Sequence, residues 1–465
     1  MKMHTFKGGV HPPEKKGFTA DKAIESVYPS TNMVSIPLTM GGKPNELLVS
    51  VGDTVTRGQK IADNTDCLSA PVHSSISGKV KKIETKLLAD GSTGQCITIE
   101  GDGQNIESFM PKLDPFTCSK TEALERVREA GIVGMGGAAF PTHVKLFPPK
   151  EKPISVVIAN GAECEPYLTI DDMTMQERAT NIIDGLAIAT KIVGAPKALL
   201  AIEDNKKHLL PILNEAIEKS GNTVISLVLT KTKYPQGGEK SLIKAVLKKE
   251  VPSCGIPADI GCVVLNVNTL CAISDAFRLG KPLIDRPLTI SGAACENPKN
   301  IVVPIGTVLA DLIPETISIK EDLVKILSGG PMMGVSLPNT SFPIAKNTSG
   351  ILFLNKKETD LTTESQCISC GRCIDVCSCR ITPVMIVKEL AAGNMAEAIR
   401  YGLMDCVECG SCVYVCPAHV QLIQRIRTGK QIRRSEIAQE LQIQEKNLAD
   451  CGKVMEADCG CGGDK

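Results

Sequence analysis

The chain has 465 residues with 43% apolar content, enough for roughly three or four domains of ordinary size. Lys plus Arg and Asp plus Glu stand at 52 each, tryptophan is absent and aromatics reach only 3%, which removes both the basic field and the stacking rings that nucleic-acid binding needs. Twenty cysteines with no signal peptide in view predict a reducing compartment and metal or redox chemistry, not a disulfide framework.

Residues 1–30 are polar and broken by Gly8-Gly9 and Pro12-Pro13, and they read as an extended arm. From Leu47 the text becomes LLVSVGDTVTRGQKIAD and then APVHSSISGKVKKIE, short apolar alternations punctuated by Gly52, Gly58 and Gly78. That pattern predicts small hairpins. It resembles a barrel-sandwich of the lipoyl and biotinyl type. The stretch DCLSAPVHSS stands where those carriers place their modified lysine, and it has none. A scaffold or docking role is expected, with Cys67 and His73 as plain loop residues.

The period changes near Thr121. TEALERVREAG predicts a helix closed by Gly131. GMGGAAFPTHVK follows at 134–145, with three glycines in four residues. Bare backbone of that kind suits close approach of a phosphate or a flat ring, and it equally suits a tight turn. Then ISVVIAN, ALLAIE, TVISLVLT and CVVLNVN alternate with helices expected at 173–193, 206–219 and up to Lys249. Strand–helix alternation predicts a parallel sheet, whose ligands sit beyond the carboxyl ends of the strands. The loops NGAECEP, KYPQGGEK and NVNT fall at those ends and are expected to converge.

Residues 286–313 alternate strongly and end in an expected helix, which resembles a soluble-ligand-binding β-grasp module. The Gly/Met stretch at 327–337 is expected to pack on the parallel-sheet domain. CISCGRCIDVC and CVECGSCVYVCP follow. Both read C-x2-C-x2-C-x3-C, the spacing of a two-cluster bacterial ferredoxin. Cys367, Cys370, Cys373 and Cys416 are assigned to one [4Fe–4S] cluster, and Cys406, Cys409, Cys412 and Cys377 to the other. Zinc ribbons use paired C-x2-C rather than such triplets. Proline follows Cys416 but not Cys377; there Ser378 and Cys379 follow, and Cys379 competes for the ligand role. Residues 431–450 predict a charged helix, and Cys459 and Cys461 lie in a polar tail. The basic run at 421–434 suits a membrane surface, a partner or solvent. No span of about 18 apolar residues occurs, so no transmembrane segment is expected.

GMGGAAFPTHVK, NGAECEP, YPQGGEK and LNVNTL resemble the NADH- and FMN-binding motifs of the flavoprotein subunit of respiratory complex I. They are closer still to the C subunit of the Rnf complex, the ferredoxin:NAD oxidoreductase, a resemblance that covers nearly the whole chain. It implies a multidomain α/β protein. Its expected parts are an N-terminal arm and all-β barrel-sandwich over 1–115, an FMN/NADH-binding parallel-sheet domain over 116–284 and a β-grasp module over 285–355. An α-helical ferredoxin-like domain over 356–430 and a helix and tail over 431–465 complete it.

Carried over, Gly134, Gly136, Gly137, Phe140 and Lys145 line the flavin and nucleotide phosphate. Asn160, Glu163 and Glu165 meet ribityl and nicotinamide groups. Tyr234, Gly237 and Glu239 shape the NADH pocket, and Asn266, Asn268 and Thr269 close over the FMN phosphate. Met135, Ala162 and Gly238 depart from the complex I pattern of arginine, aspartate and glutamate. Ser291-Gly292-Ala293 is not a flavinylation sequence, so the FMN is expected to be non-covalent. The implied function is hydride exchange with NAD(H) and one-electron transfer through two clusters. The implied partners are integral membrane and ferredoxin-like subunits at the cytoplasmic face. Hydride transfer needs no acid or base, so no catalytic residue is named. Soluble relatives, such as a corrinoid reductase of diol utilisation or a carrier for an amino-acid reductase, share these motifs. A scaffold that keeps the fold without catalysis is the remaining alternative.

Overall fold

The computed structural model describes residues 3–40, 42–66 and 68–458, with 441–458 as backbone alone. Cys67, Cys459 and Cys461 lie outside the described residues. The chain forms two compact units, Met1–Leu361 and Thr362–Lys465.

In the first unit, the β-branched and leucine-rich runs build a five-stranded parallel sheet. Across it the strands are Met3–His4, Ile225–Thr230, Ala198–Glu203, Val156–Gly161 and Cys262–Asn266. A parallel sheet must be covered on both faces, and its strands therefore carry continuous apolar runs. Val157, Ala159, Leu200 and Ile202 pack with the helices Ala179–Val193 and Val267–Arg278. Val156, Ile158, Leu199 and Ala201 face the other way, onto Leu242, Ile243 and Val246 of the helix Glu239–Leu247.

The order of strands fixes the site. From Val156–Gly161 the chain moves outward twice, then returns to add Cys262–Asn266 on the opposite side. The direction of winding reverses between Gly161 and Asn266. That is the crevice where open α/β sheets bind ligands.

Two expectations about helices differ in detail. The helix expected over 173–193 is two, Ile170–Glu177 and Ala179–Val193, because Arg178 leaves helical geometry at φ −127° and bonds to Asp275 at 2.6 Å. The helix closing the β-grasp sequence is only the short 3₁₀ turn Leu309–Leu312.

The N-terminal residues are extended, as expected, but they belong to two sheets. Met3–His4 forms the edge of the parallel sheet beside Ile225–Thr230. Ile24–Ser26 pairs with Lys299–Pro304 at the edge of a six-stranded mixed sheet, which also holds Asp285–Ser291, Leu323–Ser328, Val335–Leu337 and Gly350–Asn355. The barrel-sandwich strands form a four-stranded sheet around the hairpin Gly78–Leu87 and Thr93–Gly101, and a three-stranded one holding Lys60–Asp63 and Val72–His73. His73 is a buried strand end rather than a loop residue.

Lys346 lies among these modules. It is 1% exposed and donates to the carbonyls of Pro71 and Gly131, at 2.8 and 2.7 Å. Burial lowers its pKa to about 7.

The second unit is an internal repeat. Cys367, Cys370, Cys373 and Cys377 match Cys406, Cys409, Cys412 and Cys416 at one constant offset. The backbone keeps the same offset. Ser369 and Glu408 are left-handed at φ 55° and 56°, Gly371 and Gly410 both at 77°, and Arg380 and His419 at 59° and 51°. The turns Arg372–Asp375 and Ser411–Tyr414 match, as do the helix starts Pro383 and Leu422. The helix expected at 431–450 belongs to one continuous helix, Leu422–Asp458. Among the described residues no helix is long and apolar enough to cross a membrane.

Candidate functional site

Four stretches meet at the switch point. Asn160, at the end of its strand, donates to Gly237 O at 2.8 Å and accepts from Ala162 N at 3.1 Å. It thereby pins the 234–238 loop to the sheet. Gly237 allows this approach because a Cβ there would stand 2.1 Å from Ala162 O. Asn266 caps the helix Val267–Arg278 by accepting from Asn268 N at 2.9 Å. Thr269 Oγ1 accepts from Met135 N at 2.9 Å, which fastens the glycine loop to the first turn of that helix.

The glycine loop closes on itself through Gly134 N and Phe140 O at 2.9 Å. Gly136 lies against Asn266. Gly137 sits at φ +117°, a region that residues with a Cβ rarely enter, and nothing lies within 4 Å of where its Cβ would be. Phe140 is 41% exposed on the same loop. Bare backbone, open space and a helix amino end thus adjoin. These features fit a phosphate with a flat ring beside it, as FMN has. Lys145 donates to Val264 O at 2.9 Å and is ion-paired with Glu239, the first residue of its helix.

Glu163 and Glu165 turn into the protein. Glu163 is 6% exposed, accepts from Asp171 N at 2.8 Å and pairs with Lys16 at 3.1 Å. Glu165 accepts from Met332 N and Met333 N at 3.1 and 3.0 Å, so the 327–337 loop packs on this domain. Burial raises the Glu165 carboxyl to about 7 in spite of those donors.

Several residues of the site carried no sequence signal. Asp171 accepts from Asn266 Nδ2 at 2.9 Å and from Asn268 Nδ2 at 2.6 Å, and burial, with Glu163 nearby, raises it to about 6. Arg286, fully buried, reaches from the mixed sheet to Met135 O at 3.0 Å. Burial lowers its pKa to about 10. Lys206 is held by Asp172 beneath Glu163. Gln236 is fully buried inside the 234–238 loop, with neither side-chain polar atom bonded among the described residues. Asp171, Arg286 and Lys206 come from stretches distant from the loops they support, which no local motif announces, whereas Gln236 lies within YPQGGEK.

In the second unit, a cavity is lined by Cys377, Cys379, Cys406, Cys409 and Cys412 together with Ile381, Pro383 and Ile423. Among the described residues no three ligand-type side chains close on a single-ion position. Five cysteines line this one cavity instead, and thiolates are the donors a cubane takes. Backbone amides point at the sulfurs: Ser369 N at Cys367, Glu408 N at Cys406 and Val420 N at Cys416, each at 3.4 Å. Such N–H···S bonds help set a cluster's potential. Burial pushes the Cys406 thiol up to about 12, so iron must displace its proton to bind. Cys367 and Cys370 are exposed, whereas Cys412 is buried.

Three stretches of the chain match known protein families. Residues 4–104 match the RnfC barrel sandwich hybrid domain, residues 127–275 the Nuo51 FMN-binding domain and residues 366–420 the 4Fe-4S dicluster domain. The C subunit of the proton-translocating ferredoxin:NAD(+) oxidoreductase complex of Clostridium ljungdahlii is 46% identical, over 83% of this chain and 84% of that protein. Its counterpart in the Na(+)-translocating complex of Acetobacterium woodii is 40% identical, over 85% of this chain and 89% of that one. The C subunit of the ion-translocating oxidoreductase complex of Rhodobacter capsulatus is 38% identical, over 92% and 83%. With an FMN-binding domain, a dicluster domain and this likeness along most of its length, the chain belongs to the family of C subunits of ion-translocating ferredoxin:NAD(+) oxidoreductase complexes.

Proposed function

We propose that this chain is the electron-exchanging subunit of an ion-translocating ferredoxin:NAD oxidoreductase, taking hydride from or returning it to NAD(H) and handing single electrons to partner subunits. One observation carries the reading: a phosphate-and-ring cradle at the switch point and a double cubane motif occur in one chain. Bound FMN would supply the step between two-electron and one-electron chemistry, and two [4Fe–4S] clusters the one-electron path.

The protein's part is to bind and orient. Gly134, Gly136 and Gly137 expose backbone to the flavin, with Phe140 at the rim. Asn266, Asn268 and Thr269 place the helix amino end at the phosphate. Asn160, Tyr234 and Gly237 hold the nucleotide-side loop, and Lys145 with Glu239 presents paired charge to the dinucleotide. Glu163 and Glu165 serve by fixing the 162–168 loop through Lys16, Asp171 N and the 332–333 amides. Cys367, Cys370, Cys373 and Cys416 hold one cluster; Cys406, Cys409, Cys412 and Cys377 hold the other. The names of the relatives support membership of a multi-subunit complex. In this reading the protein is peripheral, docked on integral membrane and ferredoxin-like partners at the cytoplasmic face.

Anaerobic purification followed by iron, sulfide and flavin analysis tests the reading. About eight irons and one FMN per chain are expected, with NADH bleaching flavin and then clusters. A plateau near one iron or one zinc, or clusters that NADH does not reduce, would overturn it.

A further inference from the structure

The repeat in the second unit contains one mismatch that bears on the chemistry. The offset relating Cys377 to Cys416 also relates Ser378 to Pro417 and Cys379 to Ala418. Ala418 is a core residue, 3% exposed. Its counterpart is a thiol, and that thiol lines the same cavity as Cys377, Cys406, Cys409 and Cys412.

The surroundings of the two candidate sulfurs differ. Cys377 receives the amide of Ile381, as Cys416 receives that of Val420. Cys377 is therefore in the ligand position that the repeat defines. Cys379 receives the amide of Val407, which belongs to the 406–409 loop itself. Its sulfur is thus already docked on the loop that carries two ligands of the second cluster. The residue between the two cysteines also differs between the halves. Pro417 fixes φ and has no N–H, a constraint that Ser378 lacks.

We propose that Cys379 is a second, interchangeable fourth ligand for the cluster held by Cys406, Cys409 and Cys412. Exchange breaks the iron bond to the Cys377 sulfur and forms one to the Cys379 sulfur. Cys379 gives up its thiol proton and Cys377 takes one up. No electrons move, and the charge of the site is unchanged. The cluster of Cys367, Cys370, Cys373 and Cys416 has no such reserve, because Ala418 occupies the matching place. The consequence is an asymmetric pair, one cluster with a fixed ligand set and one that survives loss of its fourth thiolate. The proposal rests on the two-cluster reading given above.

The test uses the full chain, purified anaerobically as wild type, C377A, C379A, C377A/C379A and C416A. Iron and sulfide are counted, and the reduced proteins are compared by electron paramagnetic resonance. Wild type and C379A are expected to hold about eight irons with the same spectrum. C377A is expected to keep about eight irons with an altered spectrum for one cluster, while the double variant and C416A each fall towards four. C377G, with C377G/C379A as its double variant, serves in place of C377A should the alanine variant fail to accumulate, since glycine, like alanine, offers the iron no ligand atom. Matching iron content and spectra for C377A and the double variant would overturn the proposal. So would loss of a cluster in C379A alone, which would make Cys379 the resident ligand. A wild-type chain short of two clusters would fail the underlying reading instead.

Discussion

The ammonium of Lys145 lies between the Glu239 carboxylate and the Val264 carbonyl. The pair joins the helical turn after the glycine loop to the first residue of the helix after the 234–238 loop. Both side chains remain about one-third exposed, so the pair itself contributes little to stability. Its position at the crevice suits it to a dinucleotide, with the cation towards phosphate and the carboxylate towards ribose hydroxyls. E239Q is expected to fold and hold FMN normally and to raise the KM for NADH roughly tenfold or more, since a hydrogen bond to a charged group is worth about 1.5–3 kcal/mol. Steady-state dye reduction against NADH concentration reads this. An unchanged KM would remove Glu239 from the nucleotide site.

Gly137 permits a sharper separation of cofactors. Valine cannot adopt its φ of +117° without strain, and its methyl groups would occupy the open space beside the loop. G137V is expected to lose FMN while both clusters survive, because the second unit has its own core, built around Ile386, Leu403 and Ile426. Flavin released by acid and iron per chain measure the two outcomes. Normal cluster bleaching by NADH in this variant would show that electrons enter elsewhere.

The legible and illegible parts of this molecule divide along physical lines. The parallel sheet and the cubane motifs were readable because their signals are local: apolar runs between helices, and cysteines at fixed spacing. The convergence of NGAECEP, KYPQGGEK and NVNT was readable from their places at strand ends, whereas the strand order that makes a switch point between Gly161 and Asn266 was not. What escaped the sequence was long-range pairing. Lys16 lies in an arm that reads as loose polar text, yet its ammonium bonds Glu163 and is 8% exposed as a residue. The arm is ordered because Met3–His4 and Ile24–Ser26 complete two separate sheets. The resemblance to the complex I flavoprotein implies ligand-facing roles for Glu163 and Glu165, whereas both turn into the protein. The direction of each side chain depends on partners far along the chain, which composition and spacing do not contain.

Asp171 provides a test of one such hidden partner. It holds Asn266 and Asn268 through two amide donors, and those residues orient the helix amino end at the flavin cradle. D171N replaces one accepting oxygen by a donor, so one of the two bonds must be lost. Breaking one buried bond costs about 1–3 kcal/mol. FMN affinity of flavin-stripped protein is therefore expected to fall roughly tenfold, with iron content unchanged. Fluorescence titration with FMN measures it, and equal affinity in wild type and D171N would dismiss Asp171 as a positioning residue.

Lys346 makes stability depend on pH in a predictable direction. Unfolded, its amine holds a proton up to the ordinary 10.5; folded and buried, it releases that proton at about 7. Between those values the unfolded chain binds more protons than the folded one, so this group's contribution to stability rises with pH. Below about pH 7 the amine is charged in both states, and the cost of burying the ammonium is present in full. His73 stays neutral throughout this window, because burial, with Lys346 beside it, lowers its pKa to about 3. K346M keeps an unbranched side chain and removes the titration. Thermal midpoints of wild type and K346M, measured from pH 7 to 9.5, are expected to diverge steadily in favour of wild type as pH rises. Because only the slope of the difference is used, the prediction does not depend on how far methionine alters packing against Pro71 and Gly131. Parallel profiles would mean that Lys346 keeps its proton in the folded chain, and that two carbonyls suffice to hold a buried ammonium at the junction.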